Sequence, residues 1–287
     1  MARKRGLKRE RSNINGVWAR LADFIYRAIR VLLKTPLGSA ARAVAVRLPA
    51  RPRRWIEQRK RRLHEDANER RLNPTEALVP ERELEATYRK ALRLLVNGKD
   101  PDSLGDYLEF GVYVGTSLLC MHRASKAVGL GSLRLFGFDS FQGLPEMAAR
   151  DDEGPWQPRQ YRAEYGLVRK RLTRAGIEWS RTVLVPGWFE ETLRPERARE
   201  LGIEKAGVVM IDCDIYMSAR TALGFCAPLI QDRAVVVFDD WNSGGLAAKG
   251  LGERRAFEEF MVGNPDLRAM ELEAYHENAK VFLLTRE

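Results

Sequence analysis

Short apolar runs alternate with helix-type amphipathic segments over the C-terminal two thirds of this 287-residue chain. Runs suited to buried strands lie at 106–112, 133–139, 182–185, 206–212, 233–238 and 280–284. Between them, the periodicity predicts helices that start at Thr116, after Tyr165, and over 218–228 and 253–262. Strands and helices in this alternation predict an α/β fold, a parallel sheet with helices on both faces.

One more helix is predicted ahead of the first strand. Pro80 suits its start and Gly98 its end. The positions between them form a single apolar stripe, made of Leu84, Tyr88, Ala91, Leu92 and Leu95. We therefore expect the folded domain to span residues 73–287, preceded by an extension over residues 1–72.

The extension carries most of the positive charge. The chain has a net charge of +10, but residues 1–62 hold 19 Lys and Arg against three acidic residues, so the remainder is net negative. Residues 1–15 are too charged to fold alone, and we expect disorder there. The basic run at residues 51–62 has few aromatic side chains, which disfavours a nucleic-acid partner.

Residues 16–34 combine a narrow charged stripe with a broad apolar face. This pattern is typical of an interfacial membrane helix, and equally of a helix that docks on its own domain or on a second subunit. No apolar run reaches the roughly 18 residues of a membrane span. Three cysteines without metal spacing fit a reducing compartment. We expect a cytoplasmic protein with peripheral contact at the inner membrane face through residues 16–62.

A glycine-containing turn follows the first strand, in the stretch EFGVYVGTS at residues 109–117. Gly111 and Gly115 allow close backbone approach to a ligand, and the helix after them offers free N–H groups. The stretch lacks the complete three-glycine dinucleotide fingerprint, so an ordinary strand–turn–helix is an open alternative. Asp139 ends the second strand, where a carboxylate holds the two hydroxyls of a ribose.

Four aspartates end two further apolar runs. Asp212 and Asp214 follow one run, and Asp239 and Asp240 follow the next. Neighbouring strands would bring all four to the same sheet edge, where their negative charges repel and raise their pKa values. A hard divalent cation resolves that conflict, and oxygen ligands suit Mg²⁺ better than Zn²⁺. His276 precedes the last strand, where it could reach the cleft, and we interpret it as a loop histidine.

Five motifs in order, EFGVYVGTS, FGFDSFQGLPE, PGWFEETL, IDCDIYMS and VVVFDDW, resemble the TylF/MycF group of class I S-adenosylmethionine-dependent O-methyltransferases. The resemblance covers roughly residues 84–287. It implies a Rossmann-like, doubly wound, seven-stranded and mostly parallel sheet whose last strand is antiparallel. It also implies S-adenosylmethionine and Mg²⁺ as cofactors.

The resemblance also implies roles for individual residues. Cofactor contacts fall on Glu109, Phe110, Gly111, Tyr113, Gly115, Ser117, Asp139, Ser140, Phe141, Gly187, Trp188, Phe189 and Asp212. Metal ligands fall on Asp214, Asp239 and Asp240, and Asp212 takes the position of the general base.

The expected reaction is methylation of a hydroxyl on a sugar, a glycan or a glycosylated natural product. Two alternatives stay open: methylation of RNA or another polyanion, suggested by the basic extension, and a membrane-associated, non-catalytic protein that keeps the cofactor fold. We also expect a homo-oligomer.

Overall fold

The structure, a computed structural model, describes residues 78–97, 100 and 103–287. The predicted basic extension, its amphipathic helix and the domain boundary after residue 72 lie outside these residues and stay predictions, as do the membrane contact and the homo-oligomer. None of the helices in the described residues is long and apolar enough to cross a membrane.

The described chain alternates strands and helices as expected. The strands are β1 (Asp106–Phe110), β2 (Leu135–Asp139), β3 (Thr182–Pro186), β4 (Ala206–Ile211), β5 (Arg233–Phe238), β6 (Leu267–Leu272) and β7 (Lys280–Arg286). The helices are α1 (Glu81–Val96), α2 (Thr116–Ala127), α3 (Tyr165–Arg174), α4 (Phe189–Thr192), α5 (Pro195–Glu200), α6 (Tyr216–Cys226) and α7 (Gly252–Gly263). Short 3₁₀ turns lie at Ala148–Arg150, Ala227–Leu229, Ser243–Gly245 and Ala247–Lys249.

The seven strands form one sheet in the order β3-β2-β1-β4-β5-β7-β6. Strands β3, β2, β1, β4 and β5 pair in parallel, whereas β7 runs antiparallel to both β5 and β6. The strand order reverses at β1 and β4, the topological switch point where such sheets bind ligands. The predicted doubly wound sheet with an antiparallel last strand is confirmed.

Strand β6 is the one sheet element that periodicity did not locate. Its sequence LRAMEL buries Leu267 and exposes most of the other side chains, because β6 lies at the sheet edge. A strand with one buried position lacks the apolar alternation that identifies a half-buried strand. Helix α6 also starts two residues earlier than predicted, at Tyr216.

Two apolar layers cover the sheet, one on each face. Along β4 the side chains alternate between them: Val209 and Ile211 pack with α6 and α7, while Val208 and Met210 pack with α1 and α2. Alternation with a period of two is what a strand buried on both faces requires. The central strands are therefore rigidly held. Because of this, the residues just beyond their carboxyl ends also have fixed positions.

The register aligns those carboxyl ends. Phe110 of β1 pairs with Ile211 of β4, and Ile211 pairs with Phe238 of β5. Gly111, with φ of +93°, turns the chain away immediately after β1 and lies against the carbonyl of Asp212. An added Cβ at Gly111 would come 1.6 Å from that oxygen, so the turn requires glycine.

Gly111→Ala should lower the free energy of unfolding by at least about 2 kcal/mol, because it combines backbone strain with a backbone clash. Gly129→Ala is the matched control, since Gly129 also has a positive φ, +80°, but a Cβ there meets nothing within 4 Å. Urea denaturation measures both variants. An equal loss in the two proteins would contradict the close approach of Gly111 to Asp212.

Candidate active site

The turn between β1 and α2 forms one end of the candidate site. Gly115 caps α2 in the left-handed conformation, with φ of +81°, and its Cβ position is blocked by Leu172. Tyr113 inside the turn also has a positive φ, +46°. The turn thus presents the N-terminus of α2, where unsatisfied N–H groups favour a negatively charged ligand group.

Asp139 ties the end of β2 to this turn. Its Oδ2 accepts the N–H groups of Val112 and Tyr113 at 2.7 and 2.8 Å, and its Oδ1 accepts that of Phe141 at 2.5 Å. Burial raises the pKa of Asp139, and the three amides act in the opposite direction. A carboxylate offers about four acceptor positions, which leaves one on Oδ1 for a ligand hydroxyl.

The residues beside Asp139 form the flank of the predicted cofactor region. Ser140 Oγ accepts the N–H of Gln142 and donates to the carbonyl of Gly143, both at 3.0 Å. Phe141 is buried, has a positive φ of +54°, and packs against Tyr165 with 5.1 Å between ring centroids. The turn after β2 is therefore held by its own hydrogen bonds.

The end of β3 lies next to Asp139. The N–H of Gly187 donates to the Asp139 carbonyl at 3.0 Å, and α4 begins directly after Trp188. Trp188 and Phe189 are both half-buried. Phe189 meets Phe110 edge to face, with centroids 6.0 Å apart. Phe110 itself is fully buried and stacks on Phe138, which gives its side chain a packing role.

Glu109 is a fully buried carboxyl behind the glycine turn. Tyr107 donates its hydroxyl to Glu109 Oε2 and Ser117 donates to Oε1, both at 2.6 Å. Tyr88 continues this chain, with its hydroxyl 2.9 Å from that of Tyr107. Burial raises the pKa of Glu109 to about 8, although the two hydroxyl donors lower it. Glu109 is therefore protonated at neutral pH in the ligand-free protein.

Asp212, Asp239 and Asp240 form the other end of the site. Each offers a carboxylate oxygen, and the three atoms lie within 4.8 Å of one another. The β4–β5 pairing continues to this point, because the Asp239 N–H donates to the Ile211 carbonyl at 3.0 Å. Burial raises the pKa of Asp240 to about 7, and repulsion from Asp239 adds to the shift. Burial and the charges of both neighbours raise the pKa of Asp212 as well.

Asp214 lies beside this group in an unusual backbone conformation. Its φ is +65°, and the N–H of Ile215 donates to the carbonyl of Cys213 at 2.7 Å, which closes a three-residue γ-turn. Such a turn is strained for a residue other than glycine. The strand ends before this turn, at Ile211, so Asp214 follows the strand as the sequence predicts. The Asp214 carboxyl lies close enough to Asp240 that burial and the charge of Asp240 together raise its pKa.

Several residues that hold the acidic group were not predicted. Tyr275 donates its hydroxyl to Asp239 Oδ1, and His276 Nε2 lies 3.0 Å from the same oxygen. Ser243 donates to Asp240 Oδ1 at 2.7 Å. His276 is thus a loop histidine, as interpreted, that also reaches the site. Ser243 follows Asp240 by three residues, whereas Tyr275 and His276 come from a distant loop that no local sequence pattern pairs with Asp239.

Glu253 is a further unpredicted acid at the start of α7. It is 1% exposed, and its Oε2 accepts the N–H of Asp240 at 3.1 Å. Burial raises its pKa well above the usual range, and the negative charge of Asp240 contributes. Glu253 therefore holds the backbone of Asp240 in place through this hydrogen bond.

The segment between β2 and α3 lies over the acidic group. Within it, Tyr161 faces Asp212, Asp214 and Asp240, and burial together with these charges holds the pKa of its hydroxyl well above the usual range. Tyr161 also meets Tyr113 of the glycine turn edge to face, with centroids 6.0 Å apart. The cofactor-type turn and the acidic group are therefore two ends of one cleft.

Two solved structures share this architecture. The O-methyltransferase NovP superposes with a TM-score of 0.56 at 20% identity, covering 71% of this chain and 80% of NovP. The calicheamicin methyltransferase CalS11 gives a TM-score of 0.55 at 20% identity, covering 92% of this chain and 91% of CalS11. The fold is that of a class I methyltransferase, α/β and Rossmann-like.

The family follows from the sequence comparison. The family model described as macrocin O-methyltransferase (TylF) matches residues 49–260, and the chain belongs to this family. The resemblance of the five motifs is thereby confirmed.

Curated relatives agree with the family. The 8-demethyl-8-(2,3-dimethoxy-alpha-L-rhamnosyl)-tetracenomycin-C 4'-O-methyltransferase of Streptomyces olivaceus is 29% identical over 143 residues, 48% of this chain and 53% of that protein. The mycinamicin III 3''-O-methyltransferase of Micromonospora griseorubida is 24% identical over 147 residues, 48% of this chain and 55% of that protein. The matched region spans about half the length of these relatives.

Glu109→Gln should flatten the pH dependence of stability. The folded protein holds the Glu109 proton up to about pH 8, whereas the unfolded chain releases it near 4.5. Wild-type stability should therefore fall as pH rises between these values, by up to about 1.4 kcal/mol per pH unit from this residue. Urea denaturation at several pH values measures the slope, with the exposed Glu146→Gln as control. Identical slopes in wild type and Glu109→Gln would refute the buried neutral acid.

Proposed function

We propose that the protein transfers the methyl group of S-adenosylmethionine to a hydroxyl of a sugar or a glycosylated natural product, with assistance from Mg²⁺. The observation that carries this proposal is the single cleft that joins the glycine turn after β1 to the aspartates after β4 and β5. The names of the relatives, which are O-methyltransferases of glycosylated compounds, support it.

The residues at the glycine turn fit S-adenosylmethionine. Gly111 keeps the turn open to close approach, and the free acceptor position of Asp139 suits a ribose hydroxyl. The N-terminus of α2 suits the carboxylate of the methionine part. Glu109 and Ser117 lie behind the turn, where ionisation of Glu109 would favour the ammonium group. We assign the flank of the cofactor region to Ser140, Phe141, Gly187, Trp188 and Phe189.

The acidic group fits a hard divalent cation. Its donors are all carboxylate oxygens, and Tyr275 and His276 both bond to Oδ1 of Asp239, which leaves Oδ2 available. Burial and the charge of Asp240 raise the pKa of Asp214, and a cation would offset this repulsion. The oxygens within 4.8 Å of one another belong to Asp212, Asp239 and Asp240, and Asp214 lies beside them. We assign Asp214, Asp239 and Asp240 as the metal-binding residues, in line with the family resemblance. When bound, Mg²⁺ would stabilise negative charge on the acceptor oxygen.

Asp212 is assigned as the general base. Its carboxylate is within 4.8 Å of oxygens of Asp239 and Asp240, and its side chain is half-buried at the cleft floor. An ionised carboxylate at this position, beside the metal-binding residues, can accept the proton of an acceptor hydroxyl. Asp212 would accept the proton of the acceptor hydroxyl, and S-adenosylmethionine, when bound, would supply the methyl group from its sulfonium, which becomes a neutral thioether.

Activity should depend on the metal site. Methyl transfer to mycinamicin III and to demethyldecarbamoylnovobiocin, compounds named for two relatives, can be followed by mass spectrometry. EDTA and Asp239→Ala should each lower turnover by roughly a hundredfold or more, because charge stabilisation is lost. Added Mg²⁺ should restore the EDTA-treated wild type but not the variant. Glu277→Gln, an exposed residue of the neighbouring loop, is the control. Full turnover in EDTA would contradict the assignment of Asp239 and its neighbours as metal-binding residues.

The variants Asp212→Asn and Asp214→Asn should differ in their affinity for a divalent metal ion. Asp214→Asn should weaken Mn²⁺ binding by more than about tenfold, because it removes a ligand. Asp212→Asn should keep Mn²⁺ affinity within about threefold and lower kcat by roughly a hundredfold, the contribution of a general base. Electron paramagnetic resonance titration of free Mn²⁺ measures the affinity. An equal loss of Mn²⁺ binding in the two variants would make Asp212 a ligand instead.

A further inference from the structure

Tyr161 lies at the junction between the two ends of the cleft. Its ring contacts Tyr113 of the glycine turn, and it lies near enough to Asp214, Asp240 and Asp212 that their charges, after burial, raise the pKa of its hydroxyl. On its other side it meets Trp156 edge to face, with ring centroids 6.3 Å apart. An acceptor that places a hydroxyl between the methyl donor and the acidic group must pass beside this ring.

The backbone around Tyr161 is held in place by two hydrogen bonds to Leu144. The N–H of Arg159 donates to the Leu144 carbonyl at 2.8 Å, and the N–H of Leu144 donates to the Gln160 carbonyl at 2.9 Å. Gly143 packs so closely that an added Cβ would lie 2.6 Å from the carbonyl oxygens of Arg159 and Gln160. Tyr161 itself has a φ of +59°, an uncommon conformation for tyrosine that persists only when the surroundings impose it.

Two consecutive aspartates fasten the same segment to the helices that follow the acidic strands. Asp151 Oδ2 accepts the N–H of Met217 in the first turn of α6, and Asp152 Oδ2 accepts the N–H of Gly252 at the start of α7, both at 2.9 Å. Arg255 donates to Asp152 Oδ1 at 2.9 Å. The segment that carries Tyr161 is therefore anchored to both helices that follow the acidic strands.

The side chain of Tyr161 has two chemical faces. Its ring is an apolar plane that remains half-buried, and its neutral hydroxyl can donate a hydrogen bond near the acidic group. A pyranoside has matching parts, a face of C–H groups and a rim of hydroxyls. The nearby carboxylates disfavour a phosphate-bearing acceptor, since like charges repel. The local chemistry favours a neutral, hydroxylated ring.

We propose that Tyr161 is a specificity-determining residue that forms one wall of the acceptor site, with its ring against the C–H face of a neutral pyranoside and its hydroxyl bonded to one of the sugar hydroxyls. This inference rests on the proposed function, which it deepens by naming the residue that selects the acceptor.

Saturation-transfer NMR tests the proposal without requiring turnover. The probe is methyl α-L-rhamnopyranoside, a neutral pyranoside with neighbouring hydroxyls, added to the protein with S-adenosylhomocysteine and Mg²⁺. Saturation transfer to the sugar ring C–H protons is expected with wild type. Tyr161→Ala should reduce it at least fivefold, and Tyr161→Phe should keep it while raising the dissociation constant severalfold.

Tyr165→Phe is the matched control, because it removes a tyrosine hydroxyl from the same region that bonds Arg169 at the surface. It should leave the sugar signal unchanged. Calorimetry with S-adenosylhomocysteine checks that each variant keeps an intact cofactor site. If Tyr161→Ala fails that check, Tyr161→Gly, which suits the positive φ, replaces it and should show the same loss of sugar binding.

Three results would overturn the proposal: no saturation transfer to wild type, equal transfer in wild type and the ring-deleted variant, or equal sugar affinity in wild type and Tyr161→Phe. The proposed function fails separately. The sugar could bind through Tyr161 while no methyl group is transferred from S-adenosylmethionine to any acceptor. That result would support the role of Tyr161 in acceptor binding and contradict the assigned reaction.

Discussion

Electrostatic repulsion among aspartates at one sheet edge is the constraint on which the rest of this site depends. Asp212, Asp214, Asp239 and Asp240 are fixed there by the parallel pairing of β4 with β5, whose apolar residues are buried on both faces. Burial and this crowding raise the pKa values of Asp212, Asp214 and Asp240. Hydroxyl groups and His276, rather than lysine or arginine, hold Asp239 and Asp240 in the described residues. A bound cation would offset the repulsion among the carboxylates.

Close backbone packing and hydrogen bonds join the two ends of the cleft. Gly111 of the cofactor-type turn lies against the Asp212 carbonyl, and Asp139 fixes the same turn through the amides of Val112 and Tyr113. Tyr161 spans the remaining gap between Tyr113 and the aspartates. A rigid spacing between donor and acceptor positions is what methyl transfer requires, because the reacting atoms must be aligned.

The sequence predicts those parts of the structure that depend on local pattern. Buried strands are recognisable in the sequence as apolar runs. In a parallel sheet, the polar residues that follow these runs must lie at the same edge, and they include Asp139, Asp212 and Asp239. What local pattern cannot show is which loops return to that edge. Tyr161 and Tyr275 belong to segments without hydrophobic periodicity. The edge strand β6 cannot be recognised from its sequence because it buries few side chains. The γ-turn at Asp214 likewise arises from tertiary packing.

The central claim is that the aspartates after β4 and β5 hold a divalent cation next to the cofactor. Anomalous diffraction from crystals grown with Mn²⁺ and S-adenosylhomocysteine tests it most directly. We predict one strong Mn²⁺ peak within bonding distance of Asp214, Asp239 and Asp240, with S-adenosylhomocysteine between Asp139 and Tyr161. An absence of Mn²⁺ from this edge of the sheet, in crystals that contain the bound nucleoside, would contradict it.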